Sequence, residues 1–271
     1  MPELPEVQTV VNSLKKIKSK QIQSFTPLWF KVCYNIECSL IENKTRDKII
    51  KDIYRIGKYI IIKLNKDYIV FHLRMTGYLY FSEKIKKNSY IRCYLKFNDS
   101  TYLIFEDIRK FGGFYYWRNL SYLKNNIGLD PMIDKSFTPK WLHKNLISRN
   151  RQMKSLLLDQ SFICGLGNIY IDEILWKSSI HPISKSSLLS KKYSYKLYDA
   201  IKEILNDSLE HHGTTIMNFK FDNMKTGDYK DKLYVYSRNN KKCIRCNSII
   251  IKIKAASRGT YICPNCQTNK T

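Results

Sequence analysis

Leu4, Val7, Val10, Val11, Leu14 and Ile17 recur every three or four residues, one face of an amphipathic helix, and Pro5 suits its first turn. From about residue 21 to residue 117 the period changes. Segments 49–64, 68–81, 91–97 and 102–108 are rich in β-branched and aromatic residues, with turn clusters at Asn65-Lys66-Asp67 and Asn98-Asp99-Ser100. Short strands in succession predict a β-sandwich or barrel. Gly128-Leu129-Asp130-Pro131 reads as a linker. Helical signals return after Thr138: Pro139 opens one helix, and 153–158 and 169–176 follow on either side of Gly165-Leu166-Gly167-Asn168. The longest helix spans 193–211, with Leu197, Ile201, Ile204, Leu205 and Leu209 on one face. Segment 218–232 is polar and aperiodic, which predicts a mobile loop. No internal repeat or low-complexity tract interrupts this α+β pattern.

Charge narrows the function classes. Among 271 residues, 47 Lys and Arg face 23 acidic residues, a net charge of +24. A surplus this large attracts polyanions, and 232–271 contains no acidic residue at all. No apolar run is long enough to span a bilayer. The start, Met1-Pro2-Glu3-Leu4-Pro5-Glu6, has neither the basic nor the apolar stretch of a signal peptide. A cytoplasmic protein is expected. Cys33, Cys38, Cys93 and Cys164 then read as buried small hydrophobes in a reducing compartment.

The other four cysteines form a pattern. Cys243-x-x-Cys246 is followed, after sixteen intervening residues, by Cys263-x-x-Cys266. This spacing signals one structural zinc ion. Residues 249–253 and 259–262 read as a hairpin between the pairs. So small a segment cannot bury its own core, and metal binding supplies its folding energy, roughly 10 kcal/mol in comparable peptides. Four thiolates leave no open position for chemistry. The hairpin tip carries Lys254, Ser257, Arg258 and Gly259, suited to approach a phosphate backbone.

Eight motifs in order carry a resemblance. They are Pro2-Glu3-Leu4-Pro5-Glu6-Val7, Gly57-Lys58, His72-Leu73-Arg74-Met75-Thr76-Gly77, Asp107-Ile108-Arg109-Lys110-Phe111-Gly112, Leu157-Leu158-Asp159-Gln160, Gly165-x-Gly167-Asn168-Ile169-Tyr170, Gly213-Thr214-Thr215 and the four cysteines. Together they resemble the bacterial formamidopyrimidine-DNA glycosylases. The resemblance implies an N-terminal β-sandwich with a leading helix (1–130), a helix-two-turn-helix region with a lesion-capping loop (131–232) and a zinc-finger hairpin (233–271). It implies a monomer that cuts oxidised purines from double-stranded DNA and nicks the strand.

The resemblance also assigns roles. Pro2, freed by removal of Met1, is a secondary amine that attacks C1′ of the damaged nucleotide and forms an iminium. The positive end of the helix that follows opposes its protonation. Glu3 is the acid. Lys58 is catalytic or binds phosphate, and Arg258 contacts phosphate and assists the second elimination. Met75, Arg109 and Phe111 match wedge residues that fill the gap left by a flipped base. Asn168 grips phosphate at a helix start, and His72 and Arg151 are further phosphate ligands. Taken alone, Lys58 reads as a solvated lysine, Met75 and Phe111 as core, and Glu6 as a first-turn charge pairing with the helix dipole.

Three departures stand out. Tyr90 and Arg92 replace the usual His-x-His, although both side chains can donate to phosphate. Ser161 stands where some members carry a Lys, and Ser237 replaces a usual Gly. The sister endonuclease VIII group typically begins Pro-Glu-Gly-Pro, whereas Leu4 and Arg109-Lys110-Phe111 favour the purine enzymes. A non-catalytic zinc DNA-binding protein would have no use for Pro2 and Glu3 together.

Overall fold

The computed structural model describes residues 1–86, 88–215, 221–222 and 225–269. The chain divides into two compact units, Met1–Asn125 with His211–Asp228, and Asn126–Glu210 with Tyr229–Thr271.

In the first unit, helix α1 (Leu4–Leu14) runs into a 3-10 turn, Lys15–Ile17. Strand β1 (Ile22–Pro27) and helix α2 (Cys38–Thr45) follow, then β2 (Asp52–Ile56), β3 (Tyr59–Lys63), β4 (Tyr68–His72), β5 (Gly77–Ser82), β6 (Ile91–Phe97), β7 (Tyr102–Asp107) and β8 (Gly113–Trp117). They make two antiparallel sheets, ordered β1-β6-β7-β5 and β2-β3-β4-β8. Alternation places Ile60, Ile62, Ile69, Phe71, Cys93, Leu95, Leu103 and Phe105 in one shared core. The apolar stripe of α1, from Val7 to Leu14, joins that core, as the helical spacing predicts. Cys38 and Cys93 are buried as expected, but Cys33 is only partly so. It lies at the sandwich edge, bridged to Phe114.

The short helix α3 (Ser121–Asn126) ends this stretch of the first unit; in the second unit, helices α4 (Pro139–Ile147), α5 (Met153–Leu158), α6 (Asn168–Lys177) and α7 (Lys191–Glu210) precede the hairpin β9 (Ile251–Ala255) and β10 (Arg258–Ile262). The expected linker at 128–131 is instead anchored structure. Gly128 N–H donates to Gln160 O at 2.8 Å, and a Cβ on Gly128 would meet Phe162 O at 2.3 Å. Two turns join α5 to α6. Gln160 staples them, its amide donating to Leu158 O and Leu166 O and its Oε1 accepting from Gly165 N–H.

Two carboxylates sit inside α6, whose residues Ile169–Trp176 are all buried. Asp172 pairs with Lys154 of α5 at 2.6 Å, both side chains 0% exposed. Lys154 also donates to Thr260 Oγ1 at 2.7 Å, and Asp172 accepts Tyr261 N–H at 2.9 Å. One ion pair therefore ties α5, α6 and β10. Glu173, also fully buried, accepts N–H bonds from Tyr234, Val235 and Tyr236 at 2.7–2.9 Å. It pins the segment leading to the finger. Arg245 of the finger caps the α6 C-terminus through Trp176 O and Lys177 O, its guanidinium 3.7 Å from the Trp176 ring centre.

Lys154→Met leaves Asp172 buried without its cation, which costs about 3–5 kcal/mol. The double variant Lys154→Met/Asp172→Leu removes both charges and is expected to lose clearly less. Urea unfolding of the two variants checks this, and equal losses would refute it.

Candidate active site

The first unit gathers one group of the residues singled out above. Pro2 and Glu3 are buried at the head of α1 behind an exposed Met1, with Glu3 only 2% exposed. A reciprocal capping box closes this end: Glu3 N–H donates to Glu6 Oε2 at 2.7 Å, and the Glu3 carboxylate accepts Glu6 N–H. Glu6 is more than a dipole partner. Its Oε1 accepts Thr214 N–H at 2.7 Å, so one buried carboxylate joins the start of α1 to Gly213-Thr214. Gly213 has φ +84°, and a Cβ there would lie 2.7 Å from Glu6 Oε1, so this approach needs glycine. Beyond it Thr214 pairs with Asp228, and Gly227 N–H donates to Thr215 Oγ1. Of the loop expected at 218–232, residues 218–220 and 223–224 lie outside the described residues. Tyr229–Lys232 is a 3-10 turn with Tyr229 fully buried, because its ring packs beside Tyr170.

Lys58 is not a solvated lysine; it is 5% exposed. It follows Gly57, φ +54°, in the two-residue β2–β3 turn, where a leading glycine fits a type II′ hairpin. Arg55 donates to Gly57 O at 2.9 Å and to Gln8 Oε1 of α1 at 3.2 Å, linking that turn to the helix that begins beside Pro2. His72, at the end of β4, is 7% exposed and edge-on to Tyr59. Burial, with the charges of Arg74 and Lys58, pulls its pKa down to about 3. Its Nδ1 accepts Arg74 N–H at 3.0 Å, so the ring proton sits on Nε2 and can be donated to an anion.

Met75 and Phe111 are exposed, 43% and 53%, and not core. Arg109 lies over the Phe111 ring, its guanidinium carbon 4.7 Å from the ring centre. Tyr90 is exposed as well. Arg92 is buried instead, donating to Asp107 O at 2.7 Å and Ser89 O at 3.0 Å. Its guanidinium is therefore engaged by backbone carbonyls and not presented to phosphate.

The second unit holds the rest. Asn168 opens α6, and its Nδ2 donates to Gly259 O at 3.1 Å, placing the helix start beside the finger tip that carries the exposed Arg258. Ala256 and Ser257, both left-handed, form a two-residue turn before Arg258. Arg151 is paired with Asp159 at 2.6 Å. Ser161 is exposed and donates to Asp159 as well. Ser237 has φ +60°, so it keeps the conformation that its usual glycine adopts freely. The Sγ atoms of Cys243, Cys246, Cys263 and Cys266 all lie within 4.8 Å of one another. Three of the separations are 3.4, 3.5 and 3.8 Å. Four sulfurs about 2.3 Å from one tetrahedral zinc would stand about 3.8 Å apart. The set fits one structural zinc ion, backed by Trp176, Val235 and Ile250.

Residue-by-residue reading of the sequence missed Glu6, Lys154, Asp172 and Glu173 as anchors. Acidic residues within the otherwise apolar run 169–176 were the available signal, since a buried charge demands a partner.

The depressed His72 pKa sets an expectation. An unfolded His titrates near 6.5. The folded ring takes its proton only near pH 3. Its contribution to stability is then complete above pH 6.5 and lost as pH falls toward 3. In NMR titrations of the free protein its ring signals should stay constant from about pH 8 to about pH 4. A midpoint near 6.5 would contradict the burial argument.

Sequence profiles of the formamidopyrimidine-DNA glycosylase N-terminal domain, its H2TH domain and the zinc finger found in FPG and IleRS match residues 1–114, 127–220 and 240–269. The formamidopyrimidine-DNA glycosylase of Protochlamydia amoebophila is 36% identical over 276 residues, covering 98% of this chain and 99% of its own. That of Pelotomaculum thermopropionicum is 37% identical over 277 residues, covering 100% of both. A Lactococcus lactis FPG variant in complex with DNA containing Fapy-dG superposes with a TM-score of 0.92 at 33% identity, over 99% of this chain and 100% of that one. MutM in complex with DNA containing carbocyclic 8-oxo-G gives 0.91 at 34%, with the same coverage. Matched domain by domain in chain order and by relatives over its whole length, this chain belongs to the formamidopyrimidine-DNA glycosylase family.

Proposed function

We propose that this protein is a bifunctional DNA glycosylase and AP lyase of base excision repair, removing oxidised purines such as 8-oxoguanine and formamidopyrimidines. The observation that carries the reading is the setting of Pro2 and Glu3, buried side by side at the head of α1 and locked there by Glu6. Solved relatives are bound to DNA containing Fapy-dG, an abasic site or carbocyclic 8-oxo-G. The partner is damaged double-stranded DNA, and the charge of +24 supplies the attraction. The protein acts as a monomer in the cytoplasm. None of its eight cysteines is in a disulfide, and among the described residues no helix is long and apolar enough to cross a membrane. Segments 1–130, 131–232 and 233–271 carry the reaction, the helical grip on DNA and the zinc hairpin.

The chemistry follows from the residues. Once Met1 is removed, the Pro2 nitrogen is a secondary amine held neutral by the positive end of α1. It bonds to C1′ as the bond to the damaged base breaks. Glu3, buried beside Pro2, protonates the ring oxygen as the sugar opens. The resulting iminium draws electrons, so a C2′ proton is lost and the 3′ phosphate leaves. Arg258 assists the second elimination, on the 5′ side. Lys58, His72 (through Nε2), Tyr90, Arg151 and Asn168 hold the backbone, while Met75, Arg109 and Phe111 fill the gap.

Borohydride should reduce the iminium and link the protein permanently to lesion DNA, with peptide mapping placing the link at Pro2 and Met1 absent. Adding one residue before Pro2 should abolish trapping, because the nitrogen becomes an amide. Glu3→Gln should slow base removal by roughly 10²–10⁴-fold with lesion binding retained. Trapping that maps to Lys58 and survives a blocked terminus would show that the nucleophile is misassigned.

The zinc ion supports the finger and takes no part in the chemistry. Cys243→Ser should release the metal, measured with a chelating dye, and abolish incision, because the hairpin has too little core to fold without it. Full incision by a zinc-free sample would sink this assignment.

A further inference from the structure

The wedge residues lie on two separate loops, and one buried side chain serves both. Met75 belongs to the turn between β4 and β5, while Arg109 and Phe111 belong to the turn between β7 and β8. Asp107 is 0% exposed at the end of β7. Its Oδ2 accepts Phe111 N–H at 2.8 Å and Gly112 N–H at 2.6 Å, and its Oδ1 accepts Arg109 N–H at 3.1 Å. The same Oδ1 accepts the hydroxyl of Thr76, the residue next to Met75. Thr76 Oγ1 in turn receives Arg109 N–H at 3.1 Å.

The peptide groups of Asp107 are fixed as well. Its N–H donates to Tyr90 O at 2.9 Å, and its carbonyl accepts Arg92 Nε at 2.7 Å. From the other side Tyr34 OH donates to Phe111 O at 2.7 Å. Gly112 sits where a Cβ would lie 3.0 Å from Leu73 O, so the loops touch through backbone. Lys110, between Arg109 and Phe111, is held at φ +57°. A left-handed residue persists when its surroundings determine it, and here the Asp107 carboxylate does so.

We propose that Asp107 is the positioning residue that sets the wedge before DNA arrives, with Thr76 coupling the two loops and Arg92 bracing the peptide from behind. Three exposed side chains on two loops would otherwise have to be ordered at the moment a base pair opens, and that entropy would oppose flipping. The network removes this penalty in the free protein. It also explains the departure at Arg92, whose buried guanidinium supports the backbone of Asp107. The inference rests on the DNA-glycosylase reading above.

The test uses Thr76→Val, which removes the hydroxyl at nearly constant volume, Thr76→Ser, which keeps it, and Asp107→Asn. Each is assayed on two duplexes, one with 8-oxoguanine paired to cytosine and one with a preformed abasic site. The wedge must break a pair only in the first. Thr76→Val and Asp107→Asn should lower kcat/KM for base excision about tenfold or more, the equivalent of one lost buried hydrogen bond. Both should nick the abasic duplex within about twofold of the wild type, and Thr76→Ser should behave as wild type on both substrates. Fluorescence of 2-aminopurine placed next to that cytosine should report slower strand opening in the same two variants. Equal losses on both duplexes, or a fully active Thr76→Val, would overturn the proposal. A wild-type protein inactive on both duplexes would instead remove the glycosylase reading, and the wedge with it.

Discussion

A carboxylate taken out of water must find donors, and in this chain the donors are backbone N–H groups of the segments that matter most. Glu6 receives Glu3 and Thr214, Asp107 receives Arg109, Phe111 and Gly112, and Glu173 receives Tyr234, Val235 and Tyr236. Each anchor fixes backbone from a buried position. In a chain of charge +24, acidic side chains used internally leave the basic surplus for the surface. The Lys154–Asp172 pair extends the same logic, tying the helix headed by Asn168 to the strand headed by Arg258.

These anchors lie beside the residues to which the reaction is assigned. Glu6 is three residues from Glu3, Asp107 is two from Arg109, and Asp172 is four from Asn168. A functional side chain has to be held to within a fraction of an ångström, and its own rotamer cannot ensure that. Between their paired ends the loops at 73–77 and 107–113 lack a ladder, so the buried Asp107 carboxylate, helped by Tyr34 OH on Phe111 O, supplies rigidity there. Positive-φ residues at Arg74 and Lys110 are a consequence: the backbone bends sharply to aim its N–H groups inward.

Periodicity was enough to read α1, the consecutive strands, the long α7 and the cysteine hairpin, because each depends on local spacing. It failed where burial depends on distant partners. Lys58 reads as a surface lysine, yet the β2–β3 turn carries it under cover. Met75 and Phe111 read as core, yet their loops turn them outward. Gly128 to Pro131 has linker composition, yet Gly128 is clamped against the backbone of Phe162.

By itself the sequence determined the order of elements and the zinc ligands, since turn residues, apolar spacing and ligand types are local properties of a chain, while the class of chemistry came from the family resemblance that its ordered motifs carry. Only tertiary structure decided the protonation of His72, the diversion of Arg92 to Asp107 O and the promotion of Glu6 from first-turn charge to inter-segment tie. All three depend on desolvation and on donors that are remote in sequence or set by the fold. Thr214 lies far along the chain from Glu6, and no local pattern records that contact.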